Sequence, residues 1–438
     1  MNEYKRIGWF IEELPAYQGD NCLANALYNC GTYLKEYGID RDCNQMMQSV
    51  ESTTLDEFML YIDILKEEGF QEESMCILEN NQFYRLTKDN QRVIANYYHN
   101  SKKAIVILEK QKGLNAREIS YTYEPKEKEQ SEVYMFGLKM DPRGMNRKVP
   151  ENTSGFVNNG ASMIIKCADN SVLIIDGGDE RQMEAEDCER FSKLLHQITG
   201  KRQDEVITIS AWFITHVHND HVSGLCRAIQ MNPEQYQLER VICNAPEPAF
   251  VHNAQENMYQ ITANILQTDY PNCQEIKIHT GDVIRIADLT LTVVYTHEDF
   301  VNQDGFFDCG DFNATSTVML VEAASGMRFL ITGDINEVAE DVLCSHFSGC
   351  TLKCDILQQP HHNFNDNQLI YEYADAQVMF MTQAEGGLIK NEMMLKHSNT
   401  AKKWCREWYC GGNETVGFAY ESGEAKLVYH QKEDWNLE

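Results

Sequence analysis

The segment 215–221 reads THVHNDH and places three histidines and one aspartate within seven residues. Imidazole nitrogens and carboxylate oxygens are the ligands that zinc and similar divalent cations prefer. The alternative is a polar surface turn that is rich in histidine by chance, but the density and spacing of these side chains favour a metal site. The segment therefore predicts a metal centre, with His216, His218, Asp220 and His221 as candidate ligands.

Regular elements are predicted on both sides of this segment. Residues 205–214 are rich in β-branched and aromatic side chains, which indicates a buried strand. A helix is expected to begin near Asp220, and Gly224 within it would allow a close approach to the sheet. A strand, a ligand loop and a helix in this order are the context that a metal site at a sheet edge requires.

Other predicted strands also end in residues that can bind a metal ion or position its ligands. The run 171–178 follows a hairpin partner at 162–167, and its Asp176 could cap a turn or orient a metal-binding histidine. Two later strands end in further candidates, namely Asp334 after residues 327–333, and His361 and His362 after residues 352–360.

Size and charge limit the other possibilities. The chain has 438 residues, of which 43% are hydrophobic, so it can bury the cores of two domains. Its 67 acidic and 38 basic residues give a formal charge of -29, which disfavours long nucleic acids and membranes as partners. Lys and Arg look scattered along the sequence, without the basic stripe that a nuclease of long nucleic acids needs.

Cysteine usage and hydropathy indicate the compartment. The 15 cysteines form no CxxC pair and are odd in number, which argues against a secreted disulfide framework. We find no signal-peptide core and no apolar run that approaches the ~20 residues of a spanning helix. We therefore expect a cytoplasmic protein without a membrane partner.

Residues 1–125 predict a small α+β domain that is mostly helical. Amphipathic helices are expected over 20–37 and 54–69, the second with a capping box formed by Thr54 and Glu57. No catalytic chemistry is evident in this domain, which we expect to bind a protein partner or to mediate oligomerisation. Strands are predicted over 104–108 and 119–123.

Residues 126–132 are charged and lack apolar side chains, which predicts a linker to a larger domain over 133–438. In the larger domain, helices are predicted over 180–198 and about 254–266. Residues 296–312 predict a loop long enough to act as a lid, and a helix is expected to open at 396–400, around His397.

Residues 133–438 resemble the metallo-β-lactamase superfamily. The resemblance depends on the HxHxDH motif at 216–221, followed in the expected order by a strand ending in Thr-Gly-Asp334 and a strand ending in His361-His362. It implies an α+β protein with an αββα sandwich, in which two mixed sheets face each other and helices cover the outside.

Within that superfamily the chain is similar to the hydrolase domain of ComEC-type competence proteins and to related soluble phosphodiesterases. The similarity is carried by Asn313-x-x-Ser316-x-Val318 and by the strand-end motifs around Asp334 and His361-His362. This chain has no channel, and Asn363-Phe364 stands where that branch usually has Gly-Ser.

The resemblance implies a role for each residue that matches the motifs. His216 and His218 would hold a first metal ion, Asp220 and His221 a second, and Asp334 would bridge the two. His361 is preferred as the strand-end ligand, with His362 as an alternative ligand or a substrate donor. The usual third histidine of the first site is missing, because that region offers Asn313 and the more distant His297, which we interpret as a loop residue. Asp176 and Asn313 are expected to support the ligands.

Such a site would activate water for hydrolysis. One or two divalent ions, zinc in preference to manganese or iron, would supply a metal-bound hydroxide that attacks phosphorus or an acyl carbon. Asp220 would orient the hydroxide, and His362 or His397 would donate a proton to the leaving group. The leading hypothesis is a phosphodiesterase acting on a small or short substrate. The alternatives are a lactonase or thioesterase, and a sensor or interaction protein with a vestigial metal site.

Overall fold

The computed structural model describes residues 9, 11–17, 23–29, 45–110, 116–127, 129–139, 160–245, 262, 268–300, 312–383, 385 and 392–432. Among these residues the strands form three sheets, of six, nine and seven strands. No helix in the described part of the chain is long and apolar enough to cross a membrane.

The N-terminal sheet is antiparallel and has the strand order β1-β2-β6-β5-β4-β3. Helix α1 (Leu55–Glu67) connects its second and third strands, and Thr54 and Glu57 form the predicted capping box at its start. The strands are β1 (Leu23–Asn29), β2 (Gln45–Glu51), β3 (Gln71–Leu78), β4 (Asn81–Lys88), β5 (Gln91–Tyr98) and β6 (Lys103–Glu109).

The first sandwich sheet is mixed and has the order β13-β12-β10-β9-β8-β7-β21-β22, with β11 beside β10. Strands β9 and β10 are parallel, so their carboxyl ends meet at one edge. The strands are β7 (Glu132–Met135), β8 (Ser162–Lys166), β9 (Val172–Asp176), β10 (Ile207–Phe213), β11 (Tyr236–Leu238), β12 (Arg240–Cys243), β13 (Gln274–Lys277), β21 (Glu414–Glu421) and β22 (Glu424–Lys432).

The second sandwich sheet follows the order β14-β15-β16-β17-β18-β19-β20. Its strands from β17 to β20 run parallel to one another, which again brings their carboxyl ends together. The strands are β14 (Val283–Ile286), β15 (Leu289–Tyr295), β16 (Val318–Ala323), β17 (Arg328–Ile331), β18 (Ile356–Gln358), β19 (Val378–Met381) and β20 (Glu407–Cys410).

Helices cover the outer faces of both sandwich sheets. Against the first sheet pack α3 and α4, which bury Phe191 and Leu225 with Trp212 of β10. Against the second pack α5 to α8 together with the N-terminal sheet. The remaining helices are α2 (Ala116–Ile119), α3 (Ala185–Thr199), α4 (Asn219–Met231), α5 (Glu337–His346), α6 (Gly349–Leu352), α7 (Gln368–Ala374) and α8 (Glu392–Ala401).

The two sandwich sheets face each other across a continuous apolar core. Residues such as Ile165 and Phe213 from the first sheet pack with Leu291 and Phe329 from the second. Fully buried apolar surface of this kind contributes about 25 cal/mol per Å² to folding. The residues therefore form the αββα arrangement that the sequence resemblance implies.

The N-terminal sheet shares a core with the sandwich. One face, with Phe83 and Ile107, packs with Leu330 of the second sandwich sheet and with Phe347 after α5. The other face is covered by α1 through Phe58 and its neighbours. The first part of the chain is thus an added layer on one side of the sandwich.

Several sequence-based predictions about the N-terminal part are wrong. It is mostly β-sheet in the described residues, with α1 as its main helix. Residues 23–29 of the helix predicted over 20–37 form β1, because a short apolar run fits either periodicity and pairing with β2 decides the outcome. The predicted strand 119–123 instead begins in α2 and continues as an extended segment, in which the Tyr121 and Tyr123 N–H groups bond to the carbonyls of Arg285 and Ala287.

Predictions for the sandwich agree better with the structure. The hairpin of β8 and β9, the strand β10 and the helix starting at Asn219 are confirmed. The helix predicted over 254–266 lies outside the described residues, except for Thr262. Of the loop predicted over 296–312, only 296–300 and 312 are described, and His297–Asp299 form a 3-10 turn. His397 lies inside α8 rather than at its start.

A buried polar network joins the N-terminal sheet to the sandwich. The ring of His279 donates to Glu298 from Nδ1 at 2.7 Å and to Glu109 of β6 from Nε2 at 3.0 Å. Burial opposes the imidazolium, but the carboxylates of Glu298 and Glu109 outweigh it and raise the pKa of His279 to about 9. The charged form of His279 is therefore part of the folded structure at neutral pH.

We expect this network to make stability depend on pH. Because the pKa of His279 is raised, its stabilising contribution is complete below its unfolded pKa of about 6.5 and is lost as the pH rises through about 9. Replacing His279→Gln should cost on the order of 3 kcal/mol at pH 6.5, because two buried carboxylates lose their hydrogen-bonded cation and keep only Lys277, whose Nζ lies 3.7 and 3.8 Å from them. Urea unfolding of both proteins at several pH values would test this, and parallel stability curves over that range would contradict it.

Candidate metal centre

The carboxyl ends of strands from both sandwich sheets meet at one edge of the fold. From the first sheet come Asp176, which ends β9, and the loop that joins β10 to α4. From the second come Asp334, after β17, and the residues that follow β18. The two groups are tied directly, because the N–H of Thr317 donates to the carbonyl of Thr215 at 2.8 Å.

Two glycines allow the chain segments to come this close. A Cβ added to Gly224 of α4 would lie 2.3 Å from the carbonyl oxygen of Gly177, so the helix packs on the turn after β9. Gly333 has a φ of +55°, and a Cβ there would lie 2.8 Å from the Cβ of Thr215. Gly224 therefore has the close-packing role that was predicted for it, and Gly333 brings Asp334 against the loop from the other sheet.

Four side chains converge at this edge, namely those of Asp220, His221, Asp334 and His362. One ligand atom from each lies within 4.8 Å of the others. The Oδ2 atom of Asp334 is 3.1 Å from Nε2 of His221 and 3.1 Å from Nε2 of His362. The Nε2 atoms of His221 and His362 are 3.2 Å apart. Oδ2 of Asp220 is 3.3 Å from Nε2 of His362.

Residues behind the two histidines turn their Nε2 atoms toward the centre. The Nδ1 atom of His221 donates to Oδ2 of Asp176 at 2.7 Å, and Nδ1 of His362 pairs with Oγ1 of Thr382 at 2.8 Å. A ring that carries its hydrogen on Nδ1 presents a lone pair at Nε2, which is the form that binds metal ions. Two such lone pairs at 3.2 Å would repel each other without a cation between them.

Asp176 organises the loop as well as His221. Its carboxylate accepts from the N–H of Thr215 at 2.9 Å and from the hydroxyl of the same residue. The side chain is fully buried, and its backbone has a φ of 57°, which is unusual for a residue other than glycine. The structure thus places Asp176 behind the candidate ligands, in the position expected from the sequence.

The charged groups at the centre favour the presence of a cation. Burial opposes the charged form of Asp334, but His221 and His362 outweigh it and hold the pKa of Asp334 well below its usual value. Burial likewise opposes charge on His362, yet Asp334 and Asp220 raise the pKa of His362 to about 9. Positive charge is therefore favoured here, whether as protons on the imidazoles or as a metal ion, and the two compete.

The donor set fits a divalent metal ion. Imidazole nitrogen and carboxylate oxygen together suit zinc, and also manganese and iron. In addition, Oδ1 of Asp334 is buried and has no hydrogen-bond partner within the described residues. A buried carboxylate oxygen of that kind is costly unless it contacts a cation. Asp220, His221, Asp334 and His362 are thus the residues that would hold the ion.

His216 and His218 lie on one side of this group. Nε2 of His216 is 3.0 Å from Nδ1 of His218 and 4.0 Å from Oδ2 of Asp334. Burial, with the neighbouring His221 and His218, holds the pKa of His216 well below its usual value, so its ring is neutral. Asp334 therefore contacts His221 and His362 and lies 4.0 Å from His216, whereas the group of four includes neither His216 nor His218.

The consecutive residues His361, His362 and Asn363 have left-handed backbone conformations, with φ values of 46°, 45° and 69°. Each costs roughly 1–2 kcal/mol for an L-residue, and such strain often occurs at functional sites. This turn directs His362 into the centre and His361 away from it. Asparagine suits this turn at position 363, because it tolerates the left-handed conformation best after glycine.

The structure reverses the preference between the two adjacent histidines. His361 lies outside the group of four, with Nε2 3.1 Å from Nδ2 of Asn313 and Nδ1 against Asn365. His397 is buried in α8, where its Nδ1 lies 3.3 Å from the carbonyl oxygen of Asn363, so it supports the left-handed turn. His297 is buried in a 3-10 turn and belongs to no metal-binding group among the described residues.

The sequence did not assign a supporting role to some residues that hold the candidate ligands. Thr382 follows β19 and its hydroxyl holds His362, and the hydroxyl of Ser316, a residue of the resemblance motif, accepts from the N–H of Asp334 at 2.9 Å. The side chain of Gln358 accepts from the N–H groups of Thr332 and Gly333, which fixes the turn before Asp334. Thr382 can be recognised only by its place at the end of β19, the strand that pairs with β18.

No protein-family model and no curated protein matches this sequence. Solved structures that are similar include the metallo-β-lactamase fold protein YhfI from Bacillus subtilis, at 12% identity and a TM-score of 0.37, over 64% of this chain and 96% of that one. A long form RNase Z from yeast has 11% identity and a TM-score of 0.33, over 66% and 41% of the two chains.

A third similar structure is CmlA, a diiron β-hydroxylase from Streptomyces venezuelae. It has 10% identity and a TM-score of 0.34, over 82% of this chain and 77% of that chain. At such low identities and TM-scores, the chemistry must be inferred from the residues of this chain.

The adjacent histidines provide a matched test of the centre. We expect His362→Gln to lose most of its bound metal, because one of the four converging ligands is removed. His361→Gln should retain the metal content of the unaltered protein, since His361 contacts Asn313 and Asn365 instead. Elemental analysis after dialysis would measure both, and metal loss in the His361 variant alone would contradict the assignment.

Thr382 allows a second test. Thr382→Val removes the partner of His362 Nδ1 while nearly preserving shape, and it should weaken metal affinity by about 10- to 100-fold. Thr382→Ser keeps the hydroxyl and should bind nearly as tightly as the unaltered protein. Competition with a chromophoric chelator would measure the affinities, and equal losses in both variants would show that the hydroxyl is unimportant.

Proposed function

We propose that this protein is a metal-dependent hydrolase, and specifically a phosphodiesterase that acts on a small or short substrate. The observation that carries the hydrolase proposal is the convergence of Asp220, His221, Asp334 and His362, with His216 and His218 beside them. These residues come from both sandwich sheets, and each histidine of the group of four is held from behind. Asp220 and His221 lie in the first turn of α4 and His362 lies on the strained turn after β18, an arrangement that a merely structural site would not need.

One or two divalent ions held by these residues, with zinc preferred and manganese or iron as alternatives, would act as a Lewis acid and lower the pKa of water toward about 7. Asp220 lies at the start of α4 and is the least buried of the four ligands, so its carboxylate can also orient an attacking water. Asp334 carries its negative charge beside His221 and His362 and 4.0 Å from His216. His361 at the rim is placed to contact the substrate.

The choice of a phosphodiester is supported by the sequence. The segment from Asn313 to Val318, the Thr-Gly-Asp334 motif and the His361-His362 pair are similar to those of ComEC-type hydrolase domains and related soluble phosphodiesterases. The left-handed conformation of Asn363 supports this likeness, because it explains the exchange of glycine for asparagine. The strongly acidic charge favours a short substrate over a long polyanion.

A substrate panel would test the proposal. Protein loaded with zinc or manganese should hydrolyse bis(p-nitrophenyl) phosphate faster than p-nitrophenyl esters, thioesters and lactones. Asp220→Asn should lower kcat by about 100-fold or more, because it removes a ligand charge and an acceptor for the proton of water. Asp341→Asn, on the exposed surface of α5, is a matched control that should keep full activity.

Two results would overturn the proposal in different ways. Faster turnover of an ester, thioester or lactone would make the protein a hydrolase of the acyl type. No turnover of any substrate, combined with normal metal binding, would identify a metal-binding sensor or interaction protein.

A further inference from the structure

A basic segment lies beside the candidate metal centre of this acidic protein. Residues 396–406 contain Lys396, Lys402, Lys403 and Arg406 and no aspartate or glutamate, whereas the whole chain has 67 acidic and 38 basic residues. Such a local reversal of charge is the pattern expected where an acidic protein must bind an anion.

Two of these lysines share one face of a helix. Lys396, Thr400 and Lys403 are four and three residues apart along α8 and the 3-10 turn Lys402–Trp404 that follows it. At 1.5 Å per residue the two lysines are separated by ~10 Å. Both lysines are exposed, and Trp404 next to them is half-buried.

This face lines a surface cleft. Lys396, Thr400, Lys403 and Trp404 form one wall of a cleft of about 600 Å³, with Asp366 and Gln368 on the other side. Lys403 and Trp404 also border an adjoining cleft of about 500 Å³. The volume is sufficient for a nucleotide-sized ligand.

The cations of this region differ in their partners. Arg406 is paired with Glu424 at 3.6 Å, and Lys402 lies over the ring of Trp408 at 4.5 Å. Lys396 and Lys403 have no ion-pair partner among the residues that the structure describes. The lining of the cleft of about 600 Å³ contains these two lysines and a single carboxylate, that of Asp366, so its net charge is positive.

Short chain segments connect the lining of the cleft to residues of the candidate metal centre. Asp366 follows Asn365, whose side chain contacts Nδ1 of His361, and His361 directly precedes the ligand His362. On the opposite wall, Lys396 precedes His397, which contacts the carbonyl oxygen of Asn363. A substrate at the centre could therefore extend along the cleft toward Trp404.

We propose that Lys396, Lys403 and Trp404 form a subsite for a second phosphate and a planar base of the substrate. The substrate would then be a dinucleotide with a terminal phosphate beyond the scissile phosphodiester. The lysines would pair with the phosphate, and the indole of Trp404 would stack on the base. This inference rests on the proposed phosphodiesterase function and names the substrate class of that site.

Binding to the metal-free full-length protein tests the subsite, because the ligand stays intact. The ligands are the thymidine dinucleotide TpT and its forms with a phosphate at the 5′ or the 3′ end. Calorimetry at low ionic strength should show that one of the phosphorylated forms binds about tenfold more tightly than TpT. The double variant Lys396→Glu/Lys403→Glu should lose that preference.

A matched control keeps the net charge equal. Lys126→Glu/Lys193→Glu changes the charge by the same amount at exposed lysines away from the cleft, and it should keep the preference. Trp404→Leu should weaken the binding of all the dinucleotides by about tenfold, because the stacking on the indole is lost. The preference for a terminal phosphate should remain intact.

Kinetics of the metal-loaded protein give a second readout. The double variant Lys396→Glu/Lys403→Glu should raise KM for the phosphorylated dinucleotide by about tenfold and leave the hydrolysis of bis(p-nitrophenyl) phosphate unchanged. The subsite would be overturned by equal binding of TpT and both phosphorylated forms or by equal losses in this variant and in the control variant. It would also be overturned if hexaglutamate competed as well as the phosphorylated dinucleotide. Binding that depends on Lys396 and Lys403, without cleavage of any phosphodiester, would support the subsite and overturn the proposed function.

Discussion

The buried carboxylate of Asp176 is the interaction on which the arrangement of the centre depends. It binds the backbone and hydroxyl of Thr215 and the Nδ1 atom of His221, so it fixes both ends of the ligand loop at once. An isolated carboxylate would be very costly in a fully buried position, and here it is stabilised by several hydrogen bonds. Its left-handed backbone adds strain that the surrounding strands must offset. The rigidity of β9 and β10 is therefore converted into a defined orientation of His221.

The second requirement is that two separate sheets bring their strand ends to one place. Gly333 permits contact with Thr215, and the left-handed turn at His361 to Asn363 then separates two adjacent histidines. One of these histidines reaches Asp334, and the other reaches Asn313 at the rim. A turn with ordinary backbone angles would be less strained, but it would not direct the two rings in these ways. The strained turn thus gives two adjacent histidines different positions, with His362 in the group of four and His361 at the rim.

Much of the sandwich could be predicted from sequence because its signals are local. Buried strands of β-branched residues end in Asp176, Asp334 and the histidine pair, and parallel strands bring such ends together. The choice between His361 and His362 depends on backbone angles that no side-chain pattern reveals. The helix predicted over 20–37 was wrong for a similar reason, because residues 23–29 suit either a helix or a strand and pairing with β2 decides between them. The contact of Thr382 with His362 depends on where the fold places these two residues, so no sequence motif indicates it.

The charge of the whole molecule explains why local cations matter. With a formal charge of -29, the protein repels an anionic substrate over the range of the Debye length, about 8 Å at physiological ionic strength. At the centre, carboxylates and neutral imidazoles favour a metal ion, which would reverse the sign of the potential only nearby. Lys396 and Lys403 extend that positive region along the cleft. Under the proposed function, a short anion would be held at both places, whereas a long polyanion would also meet the acidic surface around them, so charge would select substrates by length.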